Sequence, residues 1–120
     1  MGMDALVDQI KRHPQYDKVG MILCHNGVVR GTSRDGRQVR GLRVKVDHQK
    51  LDDLIMQQKE MPGIVEILVQ INVDRNLQVG DDVMYLVVAG DIRENVLETL
   101  TTTLNAIKST VSRKTELFSE

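Results

Sequence analysis

Aromatic side chains are almost missing from this sequence. Its 120 residues include two Tyr, one Phe and no Trp, 2% in all. The core must therefore be built from Val, Ile, Leu and Met, and stacking platforms for bases or sugars have few residues to draw on. Cysteine is as scarce. Cys24 stands alone, which excludes an intramolecular disulfide, and no Cys/His spacing of a metal site surrounds it. Its place in the apolar run VGMILC, residues 19–24, predicts a buried free thiol. His25 follows it, but neighbours on a strand point to opposite faces, so His25 is not placed to activate it.

No apolar run approaches the length of a membrane span, and no signal peptide opens the chain, so the cytoplasm is the expected compartment. The formal net charge is -1, which argues against a general nucleic-acid binder, as does the lack of aromatics. No phosphate-binding P-loop, GxGxxG, GxSxG or HExxH motif occurs. His13, His25 and His48 share no spacing, and Asp52-Asp53 and Asp81-Asp82 read as a helix surface and a turn. Neither a metal nor an organic cofactor is expected.

What is present suits one globular domain over residues 1–120, with 41% hydrophobic and 28% charged residues. Met3, Leu6, Val7 and Ile10 recur at helical spacing, and Pro14 ends that helix. Residues 19–24, continued by Val28 and Val29, predict a strand covered on both faces. Asp35-Gly36 is a hairpin-type dipeptide, and Leu42, Val44 and Val46 alternate with Arg43, Lys45 and Asp47 beyond it. The pattern predicts a β-hairpin across the turn at 33–38.

Asp47 is placed to cap a helix whose inner face is Leu51, Leu54, Ile55 and Met61, ended by Pro62-Gly63. Val65, Ile67, Val69, Ile71 and Val73 alternate as a strand, and Val83 to Ala89 form the next. Asp91 and Glu94 resemble a capping box before a long helix striped by Ile92, Val96, Leu97, Leu100, Leu104, Ile107 and Val111. Lys108, Arg113 and Lys114 fall near its end, and the tail ELF is a candidate edge strand. The order of elements implies an α+β fold, with a mainly antiparallel sheet and helices packed on one face.

Two charged features stand out. Residues 27–47 hold Arg30, Arg34, Arg37, Arg40, Arg43 and Lys45 against only Asp35 and Asp47. Such a cluster suits either phosphate recognition by guanidinium groups or a solvated edge that blocks aggregation. Lys108 and Lys114 form the second. A lysine works as a nucleophile or base only when burial or a nearby cation lowers its pKa; otherwise cations at this place simply suit the negative end of a helix.

Four segments in order are similar to the MoaE family, the large subunit of molybdopterin synthase. They are GVVRG at 27–31, NLQVGDDVMYLVVAG at 76–90, IRENVLE at 92–98 and IKSTVSRKTE at 107–116. The resemblance runs from about residue 19 to residue 118. It implies an α/β hammerhead fold and a homodimer that receives the glycine tail of a small ubiquitin-like sulfur-carrier subunit. It further implies sulfur transfer from that tail's thiocarboxylate to cyclic pyranopterin monophosphate. By position, Lys108 and Lys114 match the family's catalytic lysines, while Arg30 and Arg93 match its anion-binding arginines. Arg34 and Arg37 join them from the basic stretch. Ile92 stands where the family has histidine, and Lys108 and Lys114 are one residue closer together than the family's pair. A non-catalytic module that docks a ubiquitin-like tail or an anionic metabolite is the alternative reading.

Overall fold

In the computed structural model, which describes residues 2–119, helix α1 (Met3–Lys11) and a short 3-10 turn precede strand β1 (Met21–Val28). Strand β2 (Val39–Val46), helix α2 (His48–Lys59), strand β3 (Ile64–Ile71) and a two-residue strand β4 (Leu77–Gln78) follow. Strand β5 (Asp82–Gly90) leads into helix α3 (Arg93–Ala106), a π-helical turn at Ile107–Val111 and strand β6 (Ser112–Phe118).

The strands form two antiparallel sheets, ordered β1-β5-β3 and β4-β2-β6. Strand β5 is the axis of the first. Leu86, Val87, Val88 and Ala89 are all fully buried, so both of its faces need cover. Successive side chains alternate in direction, and the two faces have different lids. Val87 and Ala89 pack under Leu6 and Ile10 of α1. Leu86 and Val88 pack with Val96 of α3, together with Ile67 and the flanking Ile55 of α2. The α+β class and antiparallel pairing hold, and α2 and α3 do share one face. Helix α1 lies on the other, because β5 is apolar on both sides.

The expected hairpin is the clearest correction. The turn exists: Gly36 has φ +88°, and Thr32 and Gln38 form an isolated bridge across it. The flanking strands nevertheless part company. Strand β1 pairs with β5, from Met21 opposite Gly90 onward, whereas β2 pairs with β6 from Val46 opposite Ser112. The loop at 29–38 carries the chain from one sheet to the other. Alternating apolarity fixes a strand's faces, not its partner.

Helix α2 is capped as expected, with the Asp47 carboxylate accepting from the Lys50 N–H at 3.1 Å. Helix α3 is not capped by Asp91. Its N-cap position is Ile92, and the Asp91 carboxylate instead accepts from the Ile92 N–H and from the Asn95 amide. The expected stripe also rotates. Ile92 and Leu97 are about half exposed, while Val96, Thr99 and Thr103 are buried. Small threonines let the helix backbone sit close to the sheet, and the Thr103 hydroxyl meets Gln58 of α2.

Cys24 is exposed rather than buried. It shares the α1 face of β1 with Ile22, but it lies further along an edge strand than that short helix reaches. Partial burial still pushes the thiol's pKa up, which favours the protonated form.

Gly41 marks a tight join in the second sheet. A Cβ there would stand 2.7 Å from the Leu77 carbonyl oxygen and 3.4 Å from a Leu117 methyl. Gly41→Ala must therefore push β4 away from β2. Overpacking of this kind costs about 1–3 kcal/mol, and the expected result is a clear fall in Tm by calorimetry. An unchanged Tm would mean that β4 is only loosely held.

Candidate functional site

The site lies where the inter-sheet loop, the π-helical turn and β6 converge. After Ala106, α3 gives way to five residues of π-helix, anchored by the buried Ile107 and Val111. The Thr110 hydroxyl donates to the Ala106 carbonyl, and the Ser112 hydroxyl to that of Ile107. Such wide turns interrupt helices most often at functional positions. Here the turn brings out Lys108 and hands the chain directly to β6.

Strand β6 is longer than the expected ELF tail, so Arg113 and Lys114 lie on a strand rather than at a helix end. Alternation then separates them. Lys114 stands opposite Val44 and Glu116 opposite Leu42, two inward positions of β2, while Arg113 stands opposite the exposed Lys45.

Lys108 and Lys114 therefore meet in one cleft. A cavity of about 240 Å³ is lined by Arg30, Arg34, Lys108, Lys114 and Glu116, with Val29 and Leu42 among its apolar walls. A neighbouring cavity shares Arg34, both lysines and Glu116, and adds Ser112. A small apolar pocket beneath them is walled by Val44, Ile71, Met84 and Ile107, again with both lysines at its edge. Four cations face one carboxylate here. The Arg30 guanidinium is oriented by donating from Nε to the Thr32 carbonyl at 2.8 Å, which leaves its terminal nitrogens for a ligand.

Two expected site residues lie elsewhere. Arg37 is exposed, pairs with Asp35 at 3.0 Å and lies over the Phe118 ring. It pins its own loop. In that loop the Asp35 carboxylate is held below its usual pKa, first by the Ser33 hydroxyl and then by Arg37. Arg93 sits at the exposed head of α3 beside Glu94 and lines none of the three cavities. Glu116 was missed as a site residue. The signal was present in the alternation Lys114-Thr115-Glu116, which puts the first and third on one face.

A larger cavity, about 530 Å³, is lined by Gln70, Asn72, Asp82 and Tyr85 and shares the walls Ile71, Val83 and Met84 with the small apolar pocket. No cation lines it among the described residues, and Asp82 gathers bonds from its neighbours. The Asp82 carboxylate accepts from the Tyr85 hydroxyl at 2.6 Å and from the Asn26 amide at 3.2 Å. These bonds, the tyrosine's first, lower the Asp82 pKa. Asp82 is thus a clasp between β1 and β5. The depressed folded-state value fixes the sign of its pH dependence: its contribution is present above the ordinary carboxyl value of 3.8 and lost as pH falls below it. Asp82→Asn is expected to shrink the acid-side fall in Tm. An identical acid limb would remove Asp82 from that role.

Among the described residues, no three His, Cys, Asp or Glu side chains gather as a metal-binding group. No helix among them is long and apolar enough to cross a membrane.

The family model described as MoaE protein matches residues 3–110. The chain belongs to the MoaE family. No curated protein matches it. Solved structures share the MoaE fold at low identity. Molybdopterin synthase from Staphylococcus aureus is 19% identical, with a TM-score of 0.73 over 87% of this chain and 78% of that one. Molybdopterin cofactor biosynthesis protein E from Burkholderia multivorans is 17% identical, with a TM-score of 0.75 over 99% and 86%. A chain in a complex of subunits 1 and 2 of molybdopterin-converting factor from Helicobacter pylori is 15% identical, with a TM-score of 0.71 over 100% and 85%. The family match ends at residue 110, so it takes in Lys108 but not Lys114.

Proposed function

We propose that this MoaE-family chain serves molybdenum cofactor biosynthesis as a molybdopterin synthase large subunit, moving sulfur from a small-subunit thiocarboxylate to cyclic pyranopterin monophosphate. The observation that carries the reading is the convergence of Lys108, Lys114, Arg30 and Arg34 on one cleft from three separate parts of the chain. The relative from Helicobacter pylori was solved with two subunits together, which supports a small-subunit partner here.

The division of labour follows from side-chain chemistry. Arg30 and Arg34 offer forked donors to the substrate phosphate. The thiocarboxylate sulfur bonds to a pterin side-chain carbon as that carbon's bond to oxygen breaks and the oxygen leaves as water or phosphate, which leaves the tail joined to the substrate through an acyl–sulfur bond. That bond must then break. A neutral lysine amine, or water deprotonated by it, attacks the acyl carbon, and the electron pair stays on the sulfur left behind. The second lysine, still charged, stabilises the oxyanion that forms during the attack. Lys108 and Lys114 are suited to share these two roles because they border the same cavities. Glu116 is the one carboxylate in the cleft and is placed to exchange protons with them.

Arg93 lies outside the cleft of its own chain. A part for it in substrate binding requires a second copy, in keeping with the homodimer expected of the family. A cytoplasmic setting fits a soluble biosynthetic role. Binding of the small subunit tests the docking part of the reading. An intact glycine tail should bind measurably by calorimetry, and removing the tail's last two residues should weaken it strongly. Equal affinity with and without those residues would place the docking surface away from this cleft.

A further inference from the structure

One part-buried titratable group near the cleft has no task in the chemistry above. His25 lies on the face of β1 that α3 covers, in line with Met21 and Leu23, which pack into the core around Val96. Leu86 stands opposite it on β5. The ring leans along its strand, with Nε2 3.6 Å from the place a Cβ would take at Gly27. Nε2 is shut off from solvent and has no hydrogen-bond partner among the described residues. Buried polar atoms are nearly always paired, so an orphan calls for an explanation. Burial lowers the pKa of the ring, and the charge of Lys108 lowers it further. A neutral imidazole carries one bare nitrogen that can accept. Lys108 follows α3 by two residues, and it shares its cavity with Val28 and Val29, which continue the strand that carries His25.

We propose that His25 is a positioning residue for Lys108, its neutral Nε2 accepting a hydrogen bond from the lysine amine and so fixing where Nζ stands in the cleft. No hydrogen bond joins the two in the structure, and the four-carbon stem of lysine supplies the swing that closes it. The orphaned atom is thereby accounted for as a seat held for the lysine. The inference rests on the reading of Lys108 as a working lysine, and its test separates the two.

The first arm is NMR of the histidine side-chain nitrogens in the full chain, with His25 assigned by its loss in His25→Gln. Nε2 should be unprotonated at neutral pH, and Lys108→Met should move its resonance downfield as the accepted bond is lost. An Nε2 resonance unmoved by Lys108→Met overturns the proposal, whether or not the protein transfers sulfur. The second arm is kinetic. His25→Phe should lower kcat by about 10²-fold through a misplaced Lys108, with KM for the pterin little changed, and His25→Gln, which restores an acceptor, should recover about tenfold of that loss. Full activity in His25→Phe overturns the proposal. If His25→Phe does not fold, His25→Gln and Lys108→Met still decide it. If the wild-type protein transfers no sulfur, the functional reading falls and the NMR arm alone judges the pairing.

Discussion

Lys114→Ala is expected to cut sulfur transfer by about 10²–10⁴-fold, the usual worth of a group that moves protons or attacks in the transition state. The side chain is exposed and borders the cleft, so its loss opens no core cavity. Tm should therefore stay within the small range of surface substitutions, about 0.5 kcal/mol in stability. The two lysines border the same cavities, so Lys108→Ala should have an effect of the same order, and the double variant should fall well short of the product of the two. Residues that act as one unit are not additive. Single-turnover rates with calorimetry on the same samples check this. Undiminished turnover in Lys114→Ala would take the lysine out of the chemistry.

Arg30→Ala and Arg34→Ala should act on binding instead. A hydrogen bond to a charged group is worth about 1.5–3 kcal/mol, so each change should weaken pterin affinity by roughly 10–150-fold. Arg37→Ala is the contrast. It removes a guanidinium from the same basic stretch, but one that pairs with Asp35 and lies over Phe118, so pterin affinity should not change. Titration of the pterin monophosphate into each variant separates these outcomes. An affinity loss in Arg37→Ala equal to that in Arg30→Ala would show that the stretch acts as a diffuse positive field rather than as two placed contacts.

The contrast between these arginines shows how far the sequence could be read. Period-two alternation located β2 and β3, a continuous apolar run after the Gly80-Asp81 turn located β5, and helical spacing located α1 and α3, because side-chain direction is a local property. Pairing is not local. Nothing in Val28, Val44 or the Asp35-Gly36 turn says that β1 and β2 choose partners in different sheets. The same limit explains Cys24, whose apolar neighbours announce a covered strand but not how far α1 extends over it. It explains α3 too, where Thr99 and Thr103 take inner places and Ile92 and Leu97 face outward.

The cleft was legible in part. Arg30, Lys108 and Lys114 stood out through the MoaE-like segments, and the structure brings them together with Arg34. Composition alone ranked all the arginines of the basic stretch alike. Arg37 drops out because Asp35, two residues before it, engages it locally. Glu116 went unnoticed, and His25 was weighed only against Cys24, because each depends on a neighbour set by tertiary packing: Leu42 opposite Glu116, and Lys108 near His25.

The central claim is that this cleft transfers sulfur. The most direct test mixes the protein with a thiocarboxylated small subunit, ideally from the same source, and cyclic pyranopterin monophosphate, and measures dithiolene formation. The account predicts product well above the small-subunit-alone control, despite Ile92 at the histidine position and the shortened lysine spacing. Tight binding of the small subunit with no product above that control would contradict it and leave a docking module on a MoaE scaffold.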